Sequence, residues 1–141
     1  MEMVSFSVPF VRGKGRVRFV RGTGRTYTPD RTAEAMELVR MAYARKAGGR
    51  MAEKGVPVRV SITTARGMPK SRPKSLAEEP DVYKPDVDNV AKLVLDALNG
   101  VAWEDDTQVT TLMVQKFPRD RVADEQTHVV VSWDGEWDGR A

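Results

Sequence analysis

The chain has 141 residues, 40% of them hydrophobic and 30% charged, which gives room for one packed domain and excludes the disordered class. No cysteine and a single histidine, His128, exclude a disulfide framework, a thiolate nucleophile and a Cys- or His-built zinc site. With no leader-like start and no long apolar run, a cytoplasmic location without a membrane partner is expected. The net charge of +3 hides an asymmetry: residues 1–74 carry 17 Lys/Arg against 5 Asp/Glu, whereas residues 75–141 carry 6 against 15.

A basic half attracts a polyanion by counterion release, and clustered carboxylates repel it unless metal cations lie between them. The combination points to a metal-dependent enzyme acting on nucleic acid, although two oppositely charged solvated faces account for the numbers equally well.

In chain order, Val4, Phe6, Val8 and Phe10 alternate with Ser5, Ser7 and Pro9, which predicts a half-buried strand over Met3 to Val11. A second strand is predicted over Arg16 to Val20, with Val17 and Phe19 opposite a row of arginines; Gly13, Gly15, Gly22 and Gly24 mark turns. Thr28-Pro29-Asp30 reads as an N-cap, a first-position proline and a first-turn acid, opening a helix that runs to about Lys46 and stops at Gly48-Gly49. Its expected core stripe is Ala35, Leu38, Val39 and Ala42, at i, i+3, i+4 and i+7. Val58, Val60 and Ile62 then alternate with Arg59, Ser61 and Thr63 as a third strand.

From Ala65 to Lys84 periodicity lapses, and Pro69, Pro73 and Pro80 join Arg66, Lys70, Arg72 and Lys74. A long basic loop is expected here, in contact with nucleic acid and mobile without it. Strands are predicted again over Val109 to Phe117 and His128 to Trp133, with a frayed tail from Asp134 to Ala141. The order β-β-α-β-α-β-β predicts a single α/β domain over residues 1–141, in the broad α+β sense: a mixed sheet of four or five strands packed with two main helices.

The informative stretch runs from Lys84-Pro85-Asp86-Val87-Asp88-Asn89 through Lys92 and Asp96 to Gly100 and Trp103-Glu104-Asp105-Asp106. Pro85 disfavours helix at Lys84, so the chain is expected to arrive extended, with Asp86 and Asp88 on one side by the period of two. Asp88 is the expected N-cap of the next helix and Gly100 its stop. At 100° per residue Lys92 and Asp96 share the polar stripe with Asp88, while Val90, Leu93, Val94, Ala97 and Leu98 form the buried face. Carboxylates crowded in this way suit a hard cation, Mg²⁺ or Mn²⁺, and a third acid arrives in Glu104-Asp105-Asp106. The residues alone leave another reading open, in which Asp88 caps, Lys92 pairs with it, Asp105-Asp106 is a turn and Trp103 is a core aromatic.

The string Asp86-x-Asp88-Asn89-x-x-Lys92-x-x-x-Asp96-Ala97-Leu98, followed by Trp103-x-Asp105-Asp106-x-Gln108-Val109, resembles the RusA family of Holliday junction resolvases. The amino-terminal strand, a basic hairpin and Arg25-Thr26-Tyr27 add to it. The resemblance implies a Mg²⁺-dependent endodeoxyribonuclease, bacterial or phage-encoded, that resolves four-way DNA junctions by paired nicks in recombination and repair. It assigns metal binding to Asp86, Asp88 and Asp106, and adds Lys92 as a catalytic residue, preferring Asp106 to Asp105. It also implies a homodimer in which each monomer supplies one acidic site, because a four-way junction has two-fold symmetry. DNA contacts are expected from Arg16, Arg18, Arg21, Arg25, Arg66, Lys70, Arg72, Lys74, Lys84 and Asn89. The rival readings are a general Mg²⁺-dependent nuclease on flaps or forks, and a non-catalytic DNA-binding protein that keeps the fold.

Overall fold

A computed structural model of the chain describes residues 1–15, 18–19, 22, 26–27 and 30–135. Four strands form the central mixed sheet: β1 (Glu2–Val8), β4 (Val58–Ala65), β6 (Val109–Lys116) and β8 (Gln126–Trp133), in the order β1-β8-β4-β6. β8 is antiparallel to both β1 and β4, and β4 is parallel to β6. Two helices, α1 (Asp30–Ala47) and α2 (Val87–Leu98), pack on one face. Short pairs β2 (Arg18–Phe19) with β3 (Thr26–Tyr27), and β5 (Glu78–Glu79) with β7 (Arg119–Asp120), stand outside the main sheet.

Alternation explains the sheet. Val4, Phe6 and Val8 on β1, Val58, Val60 and Ile62 on β4, and Val129 and Val131 on β8 all turn to the helices and are buried. The opposite face carries Ser5, Ser7 and His128, whose imidazole hydrogen-bonds Ser5 Oγ at 3.1 Å and Ser7 Oγ at 2.7 Å. β1 ends at Val8, short of the expected Val11, because Pro9 has no N–H to continue a ladder. Phe10 and Val11 stay buried beyond it, and Thr127 Oγ1 donates to the Phe10 carbonyl at 2.7 Å.

In α1 the buried stripe is Ala35, Val39, Tyr43 and Ala47, one residue every four, with Ala42 half-buried beside it. Leu38 does not join it: the helix is rotated so that Leu38 is 38% exposed. Tyr43 sets this rotation by packing edge-on against Phe6, centroids 6.0 Å apart, and by donating to the Arg50 carbonyl at 2.7 Å. Burial pushes the Tyr43 phenol up to about 12, against the opposing pull of Arg50. The helix stops where expected, at Gly48 and Gly49, both in the left-handed region at φ 57° and 84°. The Thr28-Pro29 cap and the tail 136–141 lie outside the described residues.

Segment 65–84 carries its own carboxylates, and these bind its arginines. Arg66 forks onto Asp81, at 2.9 and 2.5 Å. Arg72 reaches Glu79 at 3.0 Å and the Tyr83 hydroxyl at 2.8 Å, and Arg119 from β7 also binds Glu79 while lying 4.0 Å from the Tyr83 ring centroid. Arg121 donates to the carbonyls of Leu76, Arg72 and Pro73. A stretch read as structureless and basic is therefore cross-linked, with Lys70 and Lys74 left exposed at its tip.

These pairs make stability acid-sensitive. Hydrogen bonds from Arg119 hold the Glu79 carboxyl below its ordinary value. Burial pushes Asp81 up, but Arg66 and Lys116 outweigh it and the net direction is down. A lowered carboxyl contributes stability above its unfolded pKa and loses it as pH falls through the folded value. The thermal midpoint is expected to hold from about pH 7 to 5 and to drop below about pH 4; a midpoint unchanged at about pH 3 would show that the cross-links contribute nothing.

Candidate active site

Beyond Pro9 the chain turns across the N-terminal end of α2 and closes one wall of an open cleft of about 750 Å³. Arg12, Lys14, Arg31, Arg66 and Lys84 line it, and with them stand Asp86 and Asn89. The wall is positioned by backbone: Lys14 N donates to the Asn89 carbonyl at 3.0 Å, and Gly15 N to Thr32 Oγ1 at 3.0 Å. Gly13 lets these segments touch, since a Cβ there would lie 2.8 Å from Asn89 Cβ and 3.0 Å from Pro85 Cβ.

The cations are not equivalent. Lys14 is paired with Asp96, the third member of the polar stripe on α2, and Arg66 with Asp81. Arg12 lies over the Phe10 ring at 4.9 Å, and neither Arg12 nor exposed Lys84 has an ion-pair partner among the described residues. These two present uncompensated charge to an incoming anion. Arg31, which no periodicity in the sequence marks, joins them only because α1 begins at the cleft rim.

The acids follow the helix. The N-cap of α2 is Asp86, not Asp88: it is extended, at φ −69° and ψ 154°, and its carbonyl accepts from Val90 N at 3.1 Å. Asp88 already lies in the first turn, so the period-two argument for placing both carboxylates on one side does not apply. The reason is local: the helix begins directly after the Pro85-Asp86 pair, and an acid in its first turn faces the positive end of the helix dipole. Asp86 makes no side-chain capping bond, which leaves its carboxylate available at the cleft. Asp88 and Lys92 meet as expected at i, i+4, with Nζ 3.8 Å from Oδ2, but both side chains are more than 60% exposed and the pair is weak.

At the other end of α2, Gly100 takes φ 80° and donates to the Trp103 carbonyl at 2.8 Å, turning the chain towards β6. Trp103 is fully buried and its indole donates to Asp106 Oδ1 at 2.8 Å. Asp105 caps the short 3₁₀ turn Asp106–Gln108, accepting from Thr107 N at 3.1 Å. Gln108 closes the box, accepting from Glu104 N and Asp105 N and donating to the carbonyls of Glu53 and Val56 at 2.8 and 3.1 Å. Asp105-x-x-Gln108 is a capping signal that the sequence carries in plain sight. Asp105 and Asp106 thus each accept through Oδ1, one from Thr107 N and the other from the Trp103 indole, and Asp105 is the more exposed of the two.

One chain nevertheless keeps these acids apart. Val58 pairs with Val109 and Thr64 with Lys116, so α2 runs back from the far end of β4 to the start of β6. Its 12 residues, at 1.5 Å each, make it about 18 Å long, with Asp86 and Asp88 at its head and Asp106 beyond its foot. Among the described residues no three acids gather closely enough to hold a metal ion.

Of the expected DNA contacts, Lys84 and Asn89 line the cleft, Arg66 lines it while bound to Asp81, and Arg72 is turned to Glu79 and Tyr83. Lys70 and Lys74 are exposed on the neighbouring loop. Arg16, Arg21 and Arg25, and the side chain of Arg18, lie outside the described residues.

A basic cleft with a carboxylate on its wall, at the head of a helix packed on a mixed sheet, defines a polyanion-binding α+β domain. The chain belongs to the RusA endodeoxyribonuclease family, whose model matches residues 9–131. It is also similar to the uncharacterized protein YqaN of Bacillus subtilis (strain 168), 44% identical over 69 residues that make up 43% of this chain and 49% of that protein. The match thus spans about half the length of that relative. No helix among the described residues is long and apolar enough to cross a membrane.

Gly13→Ala tests the cleft wall. The added methyl must displace residues 11–15 from α2, at a cost of about 1–3 kcal/mol. A lowered urea midpoint with weakened DNA binding is expected, and unchanged values for both would remove Gly13 from the architecture of the cleft.

Proposed function

We propose that the protein is a Mg²⁺-dependent endonuclease that resolves four-way DNA junctions, acting as a homodimer in recombination and repair. The observation that carries this reading is the basic cleft, with Arg12 and Lys84 without ion-pair partners among the described residues, that ends at Asp86 on a chain of the RusA family. The donor chemistry suits the metal: Asp86, Asp88 and Asp106 offer only carboxylate oxygens, and Mg²⁺ commonly takes one or two of these and completes its shell with water and substrate phosphate. Mg²⁺, or Mn²⁺ in its place, would activate the attacking water and neutralise charge on the scissile phosphate.

The chain's own groups do the rest. Arg12, Arg31 and Lys84 hold the phosphate backbone over the cleft, and Asn89, fixed through its carbonyl to Lys14, offers its amide to the same strand. Lys70 and Lys74 extend the basic track along the loop. Lys92 stands one turn from Asp88 and places a positive charge where negative charge develops in the transition state. Water adds to phosphorus, the bond to the 3′ oxygen breaks, and the proton lost by the water ends on that oxygen. The products are a 5′-phosphate and a 3′-hydroxyl.

Asp88→Asn and Asp106→Asn proteins are expected to bind a four-way junction with near wild-type affinity in Mg²⁺ and to cleave it at least about a hundredfold more slowly, in keeping with the loss of one oriented electrostatic group. Full cleavage by either variant would refute the assignment, and equal cleavage of linear duplex by the wild type would favour a general nuclease. Failure of the wild type to cleave any branched DNA would favour a binding protein.

Lys84→Ala should lower the slope of log affinity against log salt by about one, the signature of a lost phosphate contact. An unchanged slope in filter-binding titrations would place Lys84 off the DNA.

A further inference from the structure

We propose that Asp81 is a positioning residue, which holds the Arg66 guanidinium on the wall of the cleft with its Nη1 edge presented to a phosphate of the bound strand. The inference rests on the DNA-cleaving reading above and adds how one phosphate contact is oriented for it.

The first observation is where the pair sits. Arg66 directly follows β4 and lines the cleft together with Lys84, Pro85 and Asp86. It forks onto Asp81 through Nε and Nη2, at 2.9 and 2.5 Å. The two side chains are not buried alike: the carboxylate is 1% exposed and the guanidinium 19%. A pair that only braced the fold would need no edge on a cleft. Here the fork leaves Nη1 without a hydrogen-bond partner among the described residues. A planar guanidinium can grip a carboxylate with one edge and a phosphate with the next, a geometry that an ammonium does not offer.

The second observation is how Asp81 is itself held. Three parts of the chain converge on it: the end of β4 through Arg66, the end of β6 through Lys116, whose Nζ stands 3.7 Å from Oδ1, and the lead into Asp86 through Tyr83 N at 3.4 Å. Lys116 also donates to the Tyr83 carbonyl, and the Arg66 carbonyl accepts from Asp120 N at 3.2 Å. One buried carboxylate therefore sets where Arg66 stands relative to the stretch Lys84-Pro85-Asp86, which brings the acid to the cleft. Because Lys116 shares that carboxylate, Arg66 is not its sole counter-ion and keeps charge for an anion.

The other cations of the cleft are held less firmly. Lys14 has a single contact, to an Asp96 side chain that is 33% exposed, and Arg12 and Lys84 have no ion-pair partner among the described residues. Such groups attract a phosphate and must then be ordered around it. Arg66 meets the phosphate already oriented, since its rotamer freedom is lost in folding and not in binding.

The test is a double-mutant cycle read in two ways, by cleavage of a four-way junction in Mg²⁺ and by the salt dependence of junction binding without it. Arg66→Gln should lower the slope of log affinity against log salt by about one and slow cleavage at least about tenfold. Asp81→Asn should slow cleavage by a similar factor while the slope stays at or above the wild-type value, because the guanidinium charge remains and is no longer offset. The double variant should cleave no slower than Arg66→Gln alone. Losses that multiply in the double variant would show that Asp81 acts on the fold and not through Arg66, and would overturn the proposal. An unchanged slope for Arg66→Gln overturns it as well.

Arg66→Lys decides the matter if Asp81→Asn does not fold. It keeps the charge and removes the fork, so a wild-type salt slope with cleavage at least about tenfold slower is expected. Wild-type cleavage by Arg66→Lys overturns the need for an oriented guanidinium. A wild type that binds junctions and cleaves none overturns the nuclease reading alone; a lowered slope for Arg66→Gln then still supports Arg66 on a phosphate, and an unchanged one removes it.

Discussion

The parallel pairing of β4 with β6 is the constraint on which the rest of the molecule depends. Parallel neighbours cannot be joined by a tight turn, so the chain must cross from the end of β4 back to the start of β6, and α2 is that crossing. The apolar face of the helix, Val90, Leu93, Val94, Ala97 and Leu98, buries against the sheet and α1. Its polar stripe, Asp88, Lys92 and Asp96, is left on the outside with no freedom to turn. Everything at the head of the helix gathers around the cleft, and everything at its foot gathers around Trp103 and Gln108.

The same crossing sorts the charge. Four arginines, Arg66, Arg72, Arg119 and Arg121, are used inside the molecule, held by Asp81, Glu79 and a set of loop carbonyls. Guanidinium groups suit this work because their planar donors fork onto carboxylates and lie flat on the Tyr83 ring. The lysines of the same region, Lys70, Lys74 and Lys84, are exposed. A segment with five Lys/Arg against three Asp/Glu therefore shows an anion mainly its ammonium groups, and the cleft beside it adds Arg12 and Arg31. Arginine is thus the cross-linking cation of this loop, and lysine the one left open to solvent.

Much of this was legible in the residues because it is local. The alternation of β4 and β8, the apolar face of α2 and the glycines that stop both helices are set by near neighbours, and the structure follows them. Three features were not. Leu38 satisfies the helical period as well as Tyr43 does, and only the Phe6 ring across the interface decides between them. Whether Asp86 or Asp88 caps α2 turns on where the chain stops being extended, a matter of two residues that Pro85 permits either way. The cross-links of segment 65–84 reach forward to Arg119 and Arg121, more than forty residues from Leu76 and Pro73, and no window of sequence contains both ends. The choice of Asp106 over Asp105 rested on the family resemblance alone; what the residues do carry is the capping box Asp105-x-x-Gln108, formed by near neighbours.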